Sequence, residues 1–319
     1  MKEAQIIPLD KFVENALYNE NYGYYSKKNP FGKSGDYVTA PNISFLFSEM
    51  IAIWIISYWE NLEKPKKFNI VELGPGNGDL CKVLIKTFKN FPDFYKNVKI
   101  FLYERSKYLR KVQKNKIKEK KVSWLKNIND IKSGPVLFFG NEFFDAIPIK
   151  QFKKLKNSIL EKNYALGKNF KIKQVFKKAS ESNIKDIESY KVLRKLKFIE
   201  FPKLGFQELK KITKKISKLS GCILLIDYGY LKPNNQNTLQ SVMRHKKNKL
   251  FNNLGKADIT AHVNFALLNE FFLKNNLKIK NLITQKEFLE NMGIIERANI
   301  LAKKMKFTQQ SDLYLRIQR

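Results

Sequence analysis

Residues 68–80, FNIVELGPGNGDL, determine the fold class of this chain. The run from Asn69 to Leu73 is apolar and short, which predicts a buried strand. Three glycines follow at alternate positions, and apolar residues then recur at helical spacing. A strand, a glycine turn and a helix form the first half of a nucleotide-binding βαβ unit. Glycine belongs in such a turn because it permits positive φ and a close approach of the backbone to a ligand.

The spacing of Gly74, Gly76 and Gly78 argues against a dinucleotide site. The dinucleotide fingerprint is G-x-G-x-x-G and would require a glycine at position 79, where the chain has Asp79. The E-x-G-x-G-x-G pattern that begins at Glu72 instead resembles motif I of methyltransferases that use S-adenosylmethionine (SAM). This resemblance implies that Glu72 and the three glycines bind SAM. The N-terminus of the following helix would then face the carboxylate of the methionine part.

A second acidic residue supports a cofactor site. Glu104 ends the next predicted strand, and an acid at this position accepts hydrogen bonds from ribose hydroxyls in such folds. We also assign Leu125 and Asn141, which follow the third and fourth predicted strands, to cofactor binding. The alternative is an ordinary α/β turn with a glutamate at the surface. The alternation of strands and helices predicts a parallel sheet covered on both faces, with strands at 68–73, 99–104, 120–124 and 135–140.

The composition bounds the partners and the chemistry. The 319 residues carry a net charge of +32, which suggests a nucleic-acid partner. The positive residues are mainly lysines spread along the whole chain, however, which favours a solvated surface. Cys81 and Cys222 lie in apolar segments and do not indicate a disulfide framework. His245 and His262 are the two histidines, so no zinc-ligand spacing occurs and we expect no metal.

The first sixty residues predict an extension of helices and loops. Helical spacing predicts a short helix over 8–18, and a segment rich in Gly, Ser, Asn and Pro predicts a long loop over 21–42. The apolar run 43–59 is too short for a membrane span and contains Glu49, so we expect a buried helix. The N-terminus contains acidic residues and no arginine, which does not suggest a transit or signal peptide. We therefore expect a bacterial, cytoplasmic protein.

Candidate catalytic residues follow the fourth strand. Ligands of open α/β sheets bind outside the carboxyl ends of the strands, which places Glu142 and Asp145 where chemistry is expected. They are three residues apart, so a helical turn beginning here would put both on one face. Asp227, which follows the predicted strand 222–226, and His262 are further candidates. The alternatives are a cluster that caps a helix N-terminus, for the acids, and a structural role, for His262.

The remaining segments predict additions to the parallel core. Lysines alternate with apolar residues over 150–180, which predicts antiparallel hairpins, and 204–219 is predicted to be a helix. Residues 231–260 are predicted to be rich in loops, and 261–318 to be mostly helical. We predict one domain over 1–319. Its parts are an extension (1–60), a Rossmann-like core (61–150 and 204–230), a β-rich insertion (151–203) and a C-terminal part of loops and helices (231–319).

Six segments occur in an order that resembles one known family: FGKSGDYVTAPNISFLFSEM (31–50), VELGPGNGDL (71–80), GNEFFDAIPIKQF (140–152), LLIDYGY (224–230), TLQSVMRHK (238–246) and ADITAHVNF (257–265). They are similar to segments of the mitochondrial dysfunction protein A (MidA) family, SAM-dependent methyltransferases that assist the assembly of respiratory complex I. The resemblance implies an α/β, class I methyltransferase fold with SAM as the cofactor. It also implies a protein substrate, since mitochondrial members dimethylate an arginine of a complex I subunit.

The chemistry of arginine implies roles for individual residues. Arginine is protonated in water, so carboxylates must orient the guanidinium and accept its proton, and we assign Glu142 and Asp145 to these tasks. Gly35 and Asp36, in the long predicted loop, are expected to cover cofactor or substrate as a lid. The chain departs from the family at Asn42, where the family has Glu, which bears on substrate choice. The family's last strand is also not found, so we expect an exposed sheet edge.

Three functions stay open on the sequence alone. The first is a protein-arginine methyltransferase linked to complex I. The second is a methyltransferase that acts on RNA or another substrate. The third is a non-catalytic assembly factor that retains a SAM site. Basic residues clustered beside the glycine turn would favour RNA, whereas an even spread would not. The sequence does not give the oligomeric state.

Overall fold

The structure is a computed structural model that describes residues 6–27, 30, 45–166 and 172–318. The chain divides into two compact units, and each is described by itself. We call them the parallel unit, which comprises Asn29–Asn141, Lys215–Ile226 and Lys280–Arg319, and the antiparallel unit, which comprises Met1–Lys28, Glu142–Lys214 and Asp227–Ile279. The prediction of one domain over 1–319 stays a prediction.

The α-helices of the described residues are α1 (Leu9–Tyr18), α2 (Tyr24–Lys27), α3 (Phe45–Asn61), α4 (Asp79–Phe88), α5 (Pro92–Asn97), α6 (Lys107–Lys116), α7 (Glu181–Glu188), α8 (Lys203–Leu219), α9 (Phe265–Lys274), α10 (Gln285–Asn291), α11 (Ile294–Ala302) and α12 (Phe307–Gln318). The strands are β1 (Ile6–Pro8), β2 (Phe68–Leu73), β3 (Val98–Tyr103), β4 (Val122–Trp124), β5 (Val136–Asn141), β6 (Lys150–Lys154), β7 (Ile159–Leu166), β8 (Ile172–Lys178), β9 (Phe198–Phe201), β10 (Gly221–Ile226), β11 (Gly229–Tyr230), β12 (Gln240–Met243), β13 (Lys246–Asn248), β14 (Asp258–Thr260) and β15 (Val263–Asn264).

A parallel sheet forms the centre of the parallel unit. Its strand order is β10-β5-β2-β3-β4, and every neighbouring pair runs parallel. Every residue of β2 is buried, as expected for a strand with a partner on each side and helices on both faces. The four strands predicted over 68–140 all form, with boundaries within two residues. The α/β class is therefore confirmed, and the β2 turn lies at the middle of the sheet.

The predicted buried helix over 43–59 forms as α3. It is apolar nearly all round and packs into a core that includes Leu46, Ile51 and Ile55. Glu49, within its apolar stretch, accepts hydrogen bonds of 2.8 and 3.2 Å from the guanidinium of Arg297 on α11. A bidentate arginine partner compensates the carboxylate inside this otherwise apolar helix. No helix among the described residues is long and apolar enough to cross a membrane.

The strand β10 lies at one end of the parallel sheet. It pairs with β5, and the described residues supply no strand on its other side. All six of its residues are half-buried. The expected absence of the family's last strand, with the exposed sheet edge that it implies, stays a prediction.

Antiparallel strands dominate the other unit. The main sheet has the order β1-β7-β6-β9, with β8 paired to β7, and its neighbours are antiparallel. The hairpins predicted over 150–180 are confirmed. A second sheet, β13-β12-β14, occupies part of 231–260, which was predicted to be rich in loops. The rest of the segment is loop and turn, as predicted, and the strands are only three or four residues long and too polar to show a period-two pattern.

Candidate functional site

The glycine turn after β2 has the backbone conformation that its sequence requires. Gly74, Gly76 and Gly78 have φ values of 61°, 53° and 82°, in the left-handed region where other residues are strained. The amide of Gly74 donates to the carbonyl of Tyr103 at 3.0 Å, which ties the turn to the end of β3. A Cβ at Gly78 would come within 2.9 Å of the side chain of Ile117. The three glycines therefore hold a backbone shape that few other residues would accept.

Two buried carboxylates lie at the ends of neighbouring strands. Glu72, in β2, is 4% exposed, and burial together with the charge of Glu104 raises its pKa to about 8. Burial raises the pKa of Glu104 to about 7, although hydrogen bonds from the amide of Ser106 and the side chain of Gln113 act in the opposite direction. Within the described residues, Oε2 of Glu72 has no hydrogen-bond partner. A buried acceptor of this kind requires a partner, which a ligand can supply.

The other predicted cofactor residues of the described chain belong to the same unit. Asn141 ends β5, and its side-chain oxygen is also buried without a partner among the described residues. Leu125 follows β4, is buried, and donates its amide to the carbonyl of Leu102 at 3.0 Å. The parallel register brings the carboxyl ends of β2, β3 and β5 to one edge of the sheet. Gly35 and Asp36, with Asn42, lie outside the described residues.

The sequence interpretation missed one buried polar residue near the turn, Gln113. Gln113 on α6 is fully buried, and its side chain contacts the turn, Glu104 and Trp124. A signal was present, because Gln113 lies four residues after the buried Leu109 on a helix that is otherwise rich in lysine. A polar residue at an apolar-face position indicates a specific hydrogen-bond partner.

The candidate catalytic residues Glu142, Asp145 and Asp227 lie in the antiparallel unit. Oδ2 of Asp227 accepts hydrogen bonds from the amides of Phe144 at 2.8 Å and Asp145 at 3.2 Å. The structure thus joins Asp227, 82 residues away in the chain, to the segment that carries the other two acids. Burial raises the pKa of Asp227 to about 7, with the two amide hydrogen bonds opposing the rise and the charge of Glu142 adding to it.

The helical turn predicted to begin at Glu142 does not form. Residues 142–148 form a non-helical turn, in which the amide of Ile147 donates to the carbonyl of Phe144 at 3.3 Å. The φ of Glu142 is 50°, which interrupts a right-handed helix at its first residue. Pro148 also disfavours helical backbone in the residue before it, Ile147. The argument that a helix places Glu142 and Asp145 on one face was therefore wrong.

A fourth acid joins these residues, one that the sequence interpretation missed. The charges of Asp227, Asp258 and Glu142 raise the pKa of Asp145, after burial itself, which has the largest effect. Asp258 is buried and accepts a hydrogen bond of 2.9 Å from the hydroxyl of Tyr25. We call Glu142, Asp145, Asp227 and Asp258 the acidic cluster. The described residues contain no group of three or more His, Cys, Asp or Glu side chains arranged to hold a metal ion.

Within the acidic cluster, Asp145 has a buried carboxylate oxygen that lacks a hydrogen-bond partner among the described residues. It is 6% exposed, and its Oδ1 has no hydrogen-bond partner within the described part of the chain. Glu142, by contrast, shares a hydrogen bond with the hydroxyl of Tyr228. A carboxylate that is buried beside other carboxylates is costly unless a cation or a proton compensates it. The cluster can therefore bind a cationic group.

His262 takes a different position from the other candidates. Its backbone amide donates to Oγ1 of Thr238 at 3.0 Å, and the residue lines a small cavity with Glu200 and Tyr230. No hydrogen bond or ion pair recorded between described residues joins its imidazole to the acidic cluster. Both roles considered for His262, a structural one and a catalytic one, therefore stay open.

Comparison with known proteins identifies the chemistry of the glycine turn. A family model described as S-adenosyl-L-methionine-dependent methyltransferase matches residues 50–283. This chain belongs to that methyltransferase family. The family uses SAM, and the turn of three glycines fits such a ligand, as do the buried oxygens of Glu72 and Asn141 that have no partner in the described part of the chain. The SAM-dependent methyltransferase predicted from the sequence is confirmed.

Relatives of this methyltransferase cover nearly the whole chain. The mitochondrial protein arginine methyltransferase NDUFAF7 of Xenopus tropicalis is 27% identical over 340 residues, which cover 95% of this chain and 76% of the relative. The mitochondrial NDUFAF7 homolog of Caenorhabditis elegans is 30% identical over 315 residues, which cover 91% of this chain and 73% of the relative. These matches confirm the predicted resemblance to the MidA family.

A solved structure confirms the fold of the methyltransferase. A crystal structure from Burkholderia thailandensis, of a protein bound to S-adenosyl-homocysteine, has a TM-score of 0.82 with 21% identity. The similarity covers 98% of this chain and 83% of that chain. Both the parallel sheet and the antiparallel strands of this chain therefore belong to a fold already seen in a solved structure.

Proposed function

We propose that this methyltransferase transfers the methyl group of SAM to an arginine side chain of a protein, and that the acidic cluster receives the guanidinium. One observation carries the proposal: Oδ1 of Asp145 is buried, has no partner among the described residues, and lies beside three further carboxylates. The described chain offers this oxygen no cation, although the protein as a whole has a net charge of +32. A substrate cation is the simplest partner for it. The names of the relatives, protein arginine methyltransferases, support arginine as that cation.

The chemistry of arginine fits the residues of the cluster. The guanidinium has five N–H donors in a planar fork, and carboxylates accept from it in pairs. Its nitrogen attacks only when the proton is removed, so a carboxylate must also act as a base. Burial raises the pKa of Asp227 to about 7, which makes it a stronger base than an exposed aspartate. Glu142 and Asp145 would orient the guanidinium, while SAM supplies the methyl group when bound.

The distribution of positive charge favours protein over RNA. The helix α6, which contacts the glycine turn through Gln113, does carry basic residues, namely Lys107, Arg110, Lys111, Lys114 and Lys116. Lys116, however, pairs with Asp79, and the ammonium of Lys114 lies 5.5 Å from the centre of the Trp124 ring. The helix α8 carries a comparable set, Lys203, Lys210, Lys211, Lys214, Lys215 and Lys218. Basic residues are thus not confined to the neighbourhood of the turn. This spread argues against a surface dedicated to RNA binding.

We further propose a subunit of respiratory complex I as the protein substrate. The support is the MidA resemblance of the six sequence segments. The predicted cytoplasmic location in a bacterium stays a prediction, and the relatives named above are mitochondrial proteins. The lid role of Gly35 and Asp36 likewise stays a proposal.

Mass spectrometry of complex I can test this function. Subunits are purified from cells with and without the protein, digested, and compared for methylated arginines. The proposal expects one arginine that is methylated only when the protein is present, and that regains methylation on complementation with the wild-type gene. Identical arginine methylation in both samples, together with a methyl group lost from RNA, would instead support the second candidate function.

A further inference from the structure

Gln113 has an unusual environment for a residue of α6. The helix contains five basic residues, and its buried positions are Leu109 and Gln113. Gln113 is 0% exposed, so its amide must find all its hydrogen bonds inside the protein. Leucine would fill such an apolar-face position at less cost, because it brings no polar atoms into the interior. A glutamine at this position therefore indicates that its amide makes specific hydrogen bonds.

The amide of Gln113 joins three segments of the parallel unit. Its Nε2 donates to the carbonyl oxygen of Gly76 at 2.7 Å and to Oε2 of Glu104 at 3.3 Å. Its Oε1 accepts from the indole nitrogen of Trp124 at 2.9 Å. One side chain thus contacts the middle of the glycine turn, the acid after β3, and β4. These are the places where the predicted cofactor residues lie.

We propose that Gln113 is a positioning residue for SAM, which fixes the Gly76 peptide and the Glu104 carboxylate in the arrangement that the cofactor requires. Gly76 has positive φ, so its peptide needs an external constraint to keep its orientation. Glu104 lies near a second carboxylate, that of Glu72. The neutral amide of Gln113, which donates to Glu104, limits the repulsion between the two acids without neutralising either of them. Trp124 fixes the orientation of the amide, because its N–H can bond only to the oxygen end.

This inference rests on the SAM site and is independent of the arginine substrate. It assigns Gln113 no contact with SAM, and its effect passes through Gly76 and Glu104. A failure of the inference and a failure of the cofactor site can be told apart. Absence of SAM binding by the wild type would contradict the site itself, whereas unaltered binding by a Gln113 variant would contradict only the role of Gln113.

The substitution Gln113→Glu tests the role with almost no change in shape. At neutral pH the introduced carboxylate can still accept from Trp124, but it faces the carbonyl of Gly76 and the carboxylate of Glu104 without a proton to donate. We expect SAM affinity, measured by calorimetry, to fall by roughly tenfold to a hundredfold, as for a lost hydrogen bond to a buried group. Steady-state kinetics should show a higher KM for SAM with kcat nearly unchanged.

Lowering the pH should restore part of the SAM affinity of Gln113→Glu. A protonated carboxyl keeps the acceptor and one of the two N–H donors of the amide it replaces, so it regains one of the two donated hydrogen bonds, and burial beside Glu104 favours that form. The ratio of wild-type to variant affinity should therefore shrink as the pH falls from about 8.5 to about 6, a range in which a buried carboxyl can titrate. The ratio removes the pH dependence that both proteins share.

Gln151 provides a matched control in the antiparallel unit. It is also 0% exposed, its Nε2 donates to Glu200 at 2.7 Å, and its Oε1 accepts from Lys162 at 2.9 Å. Gln151→Glu should alter the melting temperature but leave SAM affinity unchanged. Equal SAM affinities for the wild type and Gln113→Glu at neutral pH would overturn the proposal. So would equal losses of affinity in Gln113→Glu and Gln151→Glu, because these would indicate a general effect on stability.

Discussion

The substitution Glu142→Gln separates binding of the cofactor from methylation. Glutamine keeps the size of the side chain and can still accept from the hydroxyl of Tyr228, with which Glu142 shares a hydrogen bond. It removes one negative charge beside Asp145 and Asp227, whose pKa values the charge of Glu142 raises. The fold should therefore be preserved, since a repulsive charge is lost and the hydrogen bond with Tyr228 can still form.

The expected magnitude follows from one hydrogen bond to a charged group. Such a bond contributes about 1.5–3 kcal/mol, and roughly 2.7 kcal/mol corresponds to a hundredfold change in rate. We expect Glu142→Gln to lower kcat/KM for the protein substrate by about 10²-fold. SAM affinity should stay within about twofold of the wild type, because the predicted cofactor residues within the described chain belong to the parallel unit.

The assay measures transfer of a labelled methyl group from SAM to the purified protein substrate, with SAM affinity and melting temperature determined on the same preparations. Glu188→Gln is the control, because it removes the same charge from an exposed position of the same unit. Wild-type methylation by Glu142→Gln would refute the assignment of Glu142, and Asp227 would become the next candidate.

Three further predictions test separate parts of the structure. Gly76→Val should abolish SAM binding in calorimetry, because Gly76 has a φ of 53° that valine does not adopt. The circular dichroism spectrum of the variant should stay that of a folded protein. Wild-type protein should not bind NAD in the same assay. Asp145→Asn should melt at a higher temperature than the wild type near pH 8. The pKa of Asp145 is raised above its usual value of 3.8, so ionisation in the folded state costs stability as the pH rises, and the difference should shrink towards pH 4. Glu49→Gln should lower the free energy of unfolding in urea by about 1 kcal/mol, since it breaks the bidentate pair with Arg297; an unchanged value would mean that solvent replaces this pair fully.

The parallel sheet could be predicted from the sequence because its signals are local. A fully buried central strand such as β2 is a continuous apolar run. The glycines after it have positive φ, as their spacing predicts. The apolar run over 43–59 likewise has too few polar residues to lie at a surface. Its carboxylate, Glu49, could not be explained in advance, since Arg297 lies 248 residues away in the chain.

The candidate site was predictable only in part because its contacts are long-range. Glu142 and Asp145 were predicted from their place after a strand, but their turn is held by Asp227, a residue distant in the chain whose carboxylate accepts from the amides of Phe144 and Asp145. Asp258 and Gln113 were missed for the same reason. Each lies in a segment whose local pattern gives no sign of its partners, Tyr25 in one case and Gly76 in the other.

Localisation of the transferred methyl group tests the central proposal most directly. The purified protein is incubated with isolated complex I subunits and SAM that carries a deuterated methyl group, and the products are sequenced by tandem mass spectrometry. The proposed function predicts the label on an arginine side chain of one subunit, with greatly reduced label in Glu142→Gln. Label on lysine or on added RNA, or no label on any subunit from a protein that binds SAM, would contradict it.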